Sequence, residues 1–225
     1  MHAILLTAAF AATPVQSTCE SAPSAAQEIQ EYAQTGTLIF SQGDCLAVRM
    51  FTRSPYTHVA TVVMEEGKPY VYDSMNGVGV RKLPLEKYCD SECPNTMHVY
   101  RPTNRFSKRR CELFVEHLKS ELGRPYGVKH HVTGNRAEGI HCAEYMMDAF
   151  AACRLMKAEQ PSKVSPDSLR KGVEQAKLYD KVLVVKVVKP TQTETGDNWC
   201  EQMWIDTKVC TVQCWSKLGR WFLCK

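Results

Sequence analysis

The stretch SPYTHVATVVMEEGKPYVYDS, Ser54 to Ser74, constrains the fold more than any other part of the chain. Two runs rich in β-branched and aromatic residues flank Glu66-Gly67, a pattern that predicts an antiparallel hairpin with a two-residue loop. Glu65 then faces Lys68, and Asp73 falls opposite Ala60. Side chains alternate along a strand, so His58, Ala60 and Asp73 share one face. His58 and Asp73 are diagonal neighbours, their Cα atoms about 5–8 Å apart, within reach of a carboxylate–imidazole hydrogen bond. A four-residue loop from Glu65 to Lys68 preserves this register, whereas a bulge would break it. A carboxylate on one ring nitrogen sets the imidazole tautomer and leaves the other nitrogen to take or hold a proton. The hairpin alone is equally served by a satisfied core histidine beside a strand-ending aspartate.

A thiol sharpens the question. HCAEYMMDAFAACRLM is rich in helix formers and places Cys142 in the first turn of a helix, where unpaired N–H groups and the macrodipole stabilise a thiolate. The Cys142 N–H is also available as an oxyanion donor. The competing reading is a buried, inert cysteine.

Around these segments the pattern alternates between strands and helices, with no internal repeat or low-complexity tract. A polar helix, SAAQEIQEYAQTG, leads into TLIF as a strand, and GVGVRKLPLEKYC predicts a strand running into a turn. MHVYRP predicts a strand ended by Pro102. SKRRCELFVEHLKSELG has apolar residues near the helical period, with Gly123 at a C-cap. SPDSLRKGVEQA predicts a short helix with Ser165 as N-cap and Pro166 at its first position. KVLVVKVVKP predicts a buried strand.

The 225 residues suffice for one domain with an appendage, and a net charge of +4 without a basic stripe argues against nucleic acid as a partner. Residues 1–17, MHAILLTAAFAATPVQS, are too short an apolar run to span a bilayer; they predict either a secretory leader cut near Ser17 or an N-terminal helix packed on the body. Eleven cysteines suit an oxidising, exported location, as disulfides or as free core thiols, and their odd number leaves one thiol over. The Cys89/Cys93 and Cys210/Cys214 spacings lack the partners of a zinc finger, so no metal is expected. The body is therefore placed at 18–190, with a tail at 191–225 that holds all four tryptophans.

GTLIF, SPYTHVATVV, PYVYDSMNGVGVRKLPLEKY, LGRPYG and HCAEYMMDAF occur in an order that resembles the permuted NlpC-type papain-like cysteine hydrolases, the YiiX-like group, relatives of the lecithin retinol acyltransferases. The resemblance runs from about Gly36 to Leu169. It implies an α+β papain-like fold, with a small antiparallel sheet packed on the helix that presents Cys142. By position it assigns Cys142 as nucleophile, His58 as catalytic histidine and Asp73 as the third polar residue. Tyr56, Tyr126 and His141 become substrate-binding or oxyanion candidates, and Glu144 matches an acidic residue two after the cysteine.

This chain departs from the pattern at Thr37 (usually acidic), Ala60 (usually glycine), Gly127 (usually Asp), and His141 and Ala143 (usually Tyr and Ser). The implied chemistry is thiolate attack on an amide or ester carbonyl through an acyl-enzyme, with no cofactor. Substrates in view are a peptide or amide, including cell-wall peptide, or a lipid acyl group, with the Trp-rich tail either at a membrane or wall surface or stapled and packed on the body. A non-catalytic secreted scaffold with Cys142 in a disulfide is the remaining alternative.

Overall fold

The computed structural model describes residues 13–43, 46–92, 95–127, 138–188, 198–204, 207–208 and 211. Its strands are β1 (Val15–Cys19), β2 (Thr37–Gln42), β3 (His58–Glu65), β4 (Lys68–Met75), β5 (Gly79–Pro84), β6 (Thr96–Pro102) and β7 (Tyr179–Val187). Its helices are α1 (Ala22–Tyr32), α2 (Leu46–Thr52), α3 (Leu85–Ser91), α4 (Lys108–Ser120), α5 (Cys142–Ala152) and α6 (Pro166–Gln175), with a 3-10 turn at Pro161–Lys163. The strands form one sheet in the order β1-β7-β6-β2-β3-β4-β5, antiparallel except where β1 runs parallel to β7. This is the expected α+β class, with a sheet larger than anticipated.

The hairpin folds in the register read from its turn. Thr61 pairs with Tyr72 and Glu65 with Lys68, without a register shift, and Glu66 and Gly67 both take positive φ. That is the backbone a two-residue primed turn requires.

Each sheet face carries its own core. Leu38, Phe40, Val59, Val63 and Tyr72 pack with Phe114 of α4, Tyr145, Met146 and Phe150 of α5, and Leu169 of α6. On the opposite face, Ile39, Ala60, Val62, Val71, Met97 and Val99 pack with Ile29 of α1 and Leu85 and Tyr88 of α3. Each fully buried aliphatic or aromatic side chain contributes about 1.5–3 kcal/mol relative to exposure, so alternation along the strands commits both layers.

The sequence expectations for the helix ends hold in part. Ser165 caps α6 with Pro166 in its first turn, whereas α4 ends at Ser120 with Glu121 as its C-cap, two residues before Gly123, the expected cap. The turn expected after the β5 strand is instead α3, which begins at Leu85 with Pro84 at its N-cap. Residues 15–17, inside the segment read as a leader or packed helix, are strand and pair with Leu183, Val184 and Val185. Residues 1–12 and most of the 191–225 tail lie outside the described residues; within the tail, residues 199–204 are helical and expose Trp199 and Trp204. Cys19, Cys111, Cys142, Cys153 and Cys200 are free thiols. Cys45, Cys93, Cys210, Cys214 and Cys224 lie outside the described residues. No helix among the described residues is long and apolar enough to cross a membrane.

Candidate active site

His58 opens β3, and alternation turns its side chain, with that of Asp73, toward the α1/α3 face. Its Nε2 lies 3.0 Å from Asp73 Oδ2, and its ring stacks on Tyr88 at 6.4 Å between centroids. Asp73, only 1% exposed, also accepts from Arg81 Nε at 2.8 Å and Arg81 Nη2 at 3.0 Å. Arg81 is its cross-strand partner on β5. Burial opposes the charge of Asp73, but hydrogen bonds from His58 and Arg81 hold its carboxyl below the usual range.

Cys142 belongs to the other layer. It is the first residue of α5, behind His141 at the N-cap. The two halves meet at one end of the sheet, where β3 begins and β4 ends, and there His58 and His141 both act electrostatically on the thiol. With Nε2 engaged by Asp73, Nδ1 is the imidazole nitrogen left over. Burial raises the thiol pKa, but the His58 charge, the hydrogen bonds from His141 and His58, and the His141 charge bring it down from 9.0 to about 6. His58 moves the other way: burial pulls it down, and the thiolate charge with the Asp73 hydrogen bond carries it well above the ordinary imidazole value. The pair is thus a thiolate and an imidazolium near neutrality.

The loop leading to Cys142 is tied to the hairpin. Ser74, next to Asp73, donates to the Ile140 carbonyl at 2.7 Å. Ile140 N–H donates to Pro125 O, and Val80 N–H to Arg124 O. The second contact depends on Gly79 at φ 90, where a Cβ would lie 2.4 Å from the Arg124 carbonyl oxygen.

Of the remaining predicted residues, Tyr126 bridges to Ile140 and lies close enough to Cys142 that burial and the thiolate charge raise its pKa. His141 caps α5, its Nδ1 accepting from Glu144 N–H at 3.3 Å and its Nε2 donating to Ser162 O at 3.0 Å. It thereby combines the capping role with an electrostatic influence on the thiol. Tyr56 is placed differently: its hydroxyl meets His98 Nδ1 at 2.8 Å and its ring lies under the Arg170 guanidinium at 4.8 Å. Neither contact is to His58, Asp73 or Cys142. Glu144 is buried behind His141, with its Oε2 3.8 Å from His141 Nε2.

Arg81, Ser74, Tyr88 and Glu92 were not singled out from the sequence. Arg81 pairs with Asp73 across β4 and β5, one residue away from the register that an Asn76-Gly77 turn signal predicts. Cys142 is a free thiol, the state that attack on a carbonyl requires. Among the described residues no cluster of His, Cys, Asp or Glu is placed to hold a metal ion.

A free thiol at a helix start, facing a histidine-bearing strand across the end of an antiparallel sheet, is the arrangement of a papain-like cysteine hydrolase. A family model described as the permuted papain-like amidase enzyme, YaeF/YiiX, C92 family, matches residues 32–204, and the chain belongs to this family of cysteine amidases and peptidases. It is 23% identical over 151 residues to the uncharacterized protein YiiX of Escherichia coli strain K12, across 66% of this chain and 72% of that protein. The crystal structure of metalloprotein YiiX from Escherichia coli O157:H7 is similar with a TM-score of 0.49 and 20% identity, over 71% of this chain and 90% of that one.

Proposed function

We propose that the chain is an exported thiol hydrolase that cleaves amide or peptide bonds in cell-wall peptide, with Cys142 as nucleophile, His58 as acid and base, and Asp73 as the residue that orients His58. The observation that carries this reading is the 3.0 Å contact of His58 Nε2 with Asp73 Oδ2, which leaves the other imidazole nitrogen for the thiol. The thiolate attacks the carbonyl carbon and forms the C–S bond, while the Cys142 N–H at the open end of α5 faces the oxyanion. The His58 imidazolium gives its proton to the amine as the C–N bond breaks. Water then attacks the thioester, His58 takes its proton, and the acid is released with the thiolate restored. Tyr126, beside the thiol, lines the substrate path, and His141 shares the sulfur with His58.

The test is turnover of cell-wall stem peptides and unrelated peptide amides by the parent and by Cys142→Ala. Full turnover by the variant would refute the mechanism, and equal turnover of both substrate sets would refute the cell-wall assignment. Export rests on the apolar N-terminal run and the cysteine count, and is checked by fractionating cells that make the full chain. Exposed Trp199 and Trp204 motivate a second reading, a lipid acyl substrate met at a membrane interface favoured by tryptophan. Liposome co-sedimentation unchanged by deletion of residues 199–225 would remove it.

A further inference from the structure

We propose that Arg81 is a fourth member of the relay, a positioning residue that acts on the thiol through Asp73 and His58. The proposal rests on the triad reading above and adds a residue to it. Arg81 projects from β5 directly opposite Asp73 and meets both carboxylate oxygens, Nε on Oδ1 at 2.8 Å and Nη2 on Oδ2 at 3.0 Å. Oδ2 is the oxygen that also meets His58, so the fork fixes the carboxylate plane in which the imidazole is held.

The charges alternate along the chain of contacts: thiolate, imidazolium, carboxylate, guanidinium. Without Arg81 this buried chain would carry a net negative charge, which a low-dielectric site penalises heavily. The other groups facing Arg81 do not replace it. Glu92 is a second buried carboxylate acting on both Arg81 and His58, and so adds to the negative side. Tyr88, from α3, stays a neutral phenol. Ser91 Oγ, the acceptor for Nη2 at 3.4 Å, is uncharged. The Arg81 side chain is 18% exposed, so solvent screens it little.

Losing the guanidinium charge makes the thiolate harder to form and the imidazolium harder to deprotonate. Both limbs of the pH profile therefore move upward. Losing the fork lets the carboxylate rotate, which lowers kcat and leaves KM nearly unchanged, because Arg81 does not touch substrate. Lysine restores the charge without the planar two-point grip.

The experiment compares Arg81→Met and Arg81→Lys with the parent. The readouts are the pH profile of Cys142 alkylation by iodoacetamide, kcat and KM on a peptide amide, and the thermal melt. Expected are a rise of about half to one pH unit in both inflections for Arg81→Met, and a fall of about 10- to 100-fold in kcat. Arg81→Lys should return the inflections to within a few tenths of a unit while recovering only part of kcat. If Arg81→Met fails to fold, Arg81→Lys still decides: parental kcat in it overturns the proposal. Variants that melt earlier but keep parental inflections and kcat also overturn it, since that is the mark of a purely structural residue. A parent whose Cys142 inflects near an ordinary cysteine value would instead sink the triad reading itself.

Discussion

Replacing His58 by alanine tests the electrostatics of the site most directly. With the thiol at about 6, Cys142 is about 90% thiolate at pH 7, whereas a thiol returned to 9.0 is about 1% thiolate. The labelling rate falls by less than this ratio, because a more basic thiolate is more nucleophilic. A Brønsted slope of about 0.4–0.5 over three units gives back about 20-fold. The net loss at pH 7 is thus only about 4-fold, but at pH 5.5, where the thiolate ratio is about 800, it reaches about 40-fold. These are the largest values His58 can account for, since His141 still acts on the thiol in the variant. The assay is iodoacetamide labelling from pH 4.5 to 10, quantified on the Cys142 peptide by mass spectrometry, with far-UV circular dichroism to establish that the variant is folded. The parent should inflect near 6 and the variant well above it. A folded His58→Ala protein that still inflects near 6 would refute the thiolate–imidazolium argument.

His141→Asn keeps a capping side chain on α5 and removes the imidazole, so the labelling inflection should rise with little change in melting temperature. His141→Ala should show the same rise and also lose about 1 kcal/mol for the missing cap, measured by urea unfolding. Ser74→Ala removes the bond to the Ile140 carbonyl at a cost of about 0.5–1.5 kcal/mol, since Gly127 N–H still donates to that oxygen. Its kcat should fall several-fold while the thiol inflection stays in place, and an unchanged kcat would show that this tie does not position Cys142. Burial raises the Glu65 carboxyl, but hydrogen bonds from Lys82, Tyr72 and Lys119 hold it at about 2 against 4.5 in an unfolded chain. Its contribution is therefore complete above 4.5 and lost as pH falls toward 2. Glu65→Gln should cost about 1–2 kcal/mol at pH 7, after allowing for screening, and progressively less below pH 4.5 in denaturant titrations.

The His58–Asp73 pair was legible because a two-residue loop at Glu66-Gly67 dictates every pairing in the hairpin. The next turn shows why Arg81 was not. Asn76-Gly77 is itself a two-residue turn signal and would pair Met75 with Val78, setting Asp73 against Val80. The chain instead uses three loop residues, with both Gly77 and Gly79 at positive φ, and Met75 pairs with Gly79. That one-residue difference brings Arg81 onto Asp73. Helix α3 escaped notice because Pro84 and a run of mixed polarity signal a turn, and its stability comes from Leu85 and Tyr88 buried against the sheet. Nor does periodicity report β1, a five-residue strand held by pairing to β7 while most of its side chains remain outside the core. The α5 cap was legible as a position, but the bond that orients the far side of the His141 ring depends on Ser162 in the Pro161–Lys163 turn, about twenty residues away along the chain.

The placement of His58 and Cys142 on opposite layers of the sheet gives the site a mechanical property. No single layer contains a competent site, so slippage of α5 against the sheet, or of α3 away from it, separates thiol from imidazole while most secondary structure survives. Turnover therefore serves as a vernier for the alignment of the two layers: on heating, activity should decay at a lower temperature than the circular dichroism signal. Coincident loss of the two would mean that the layers come apart only when the whole chain unfolds.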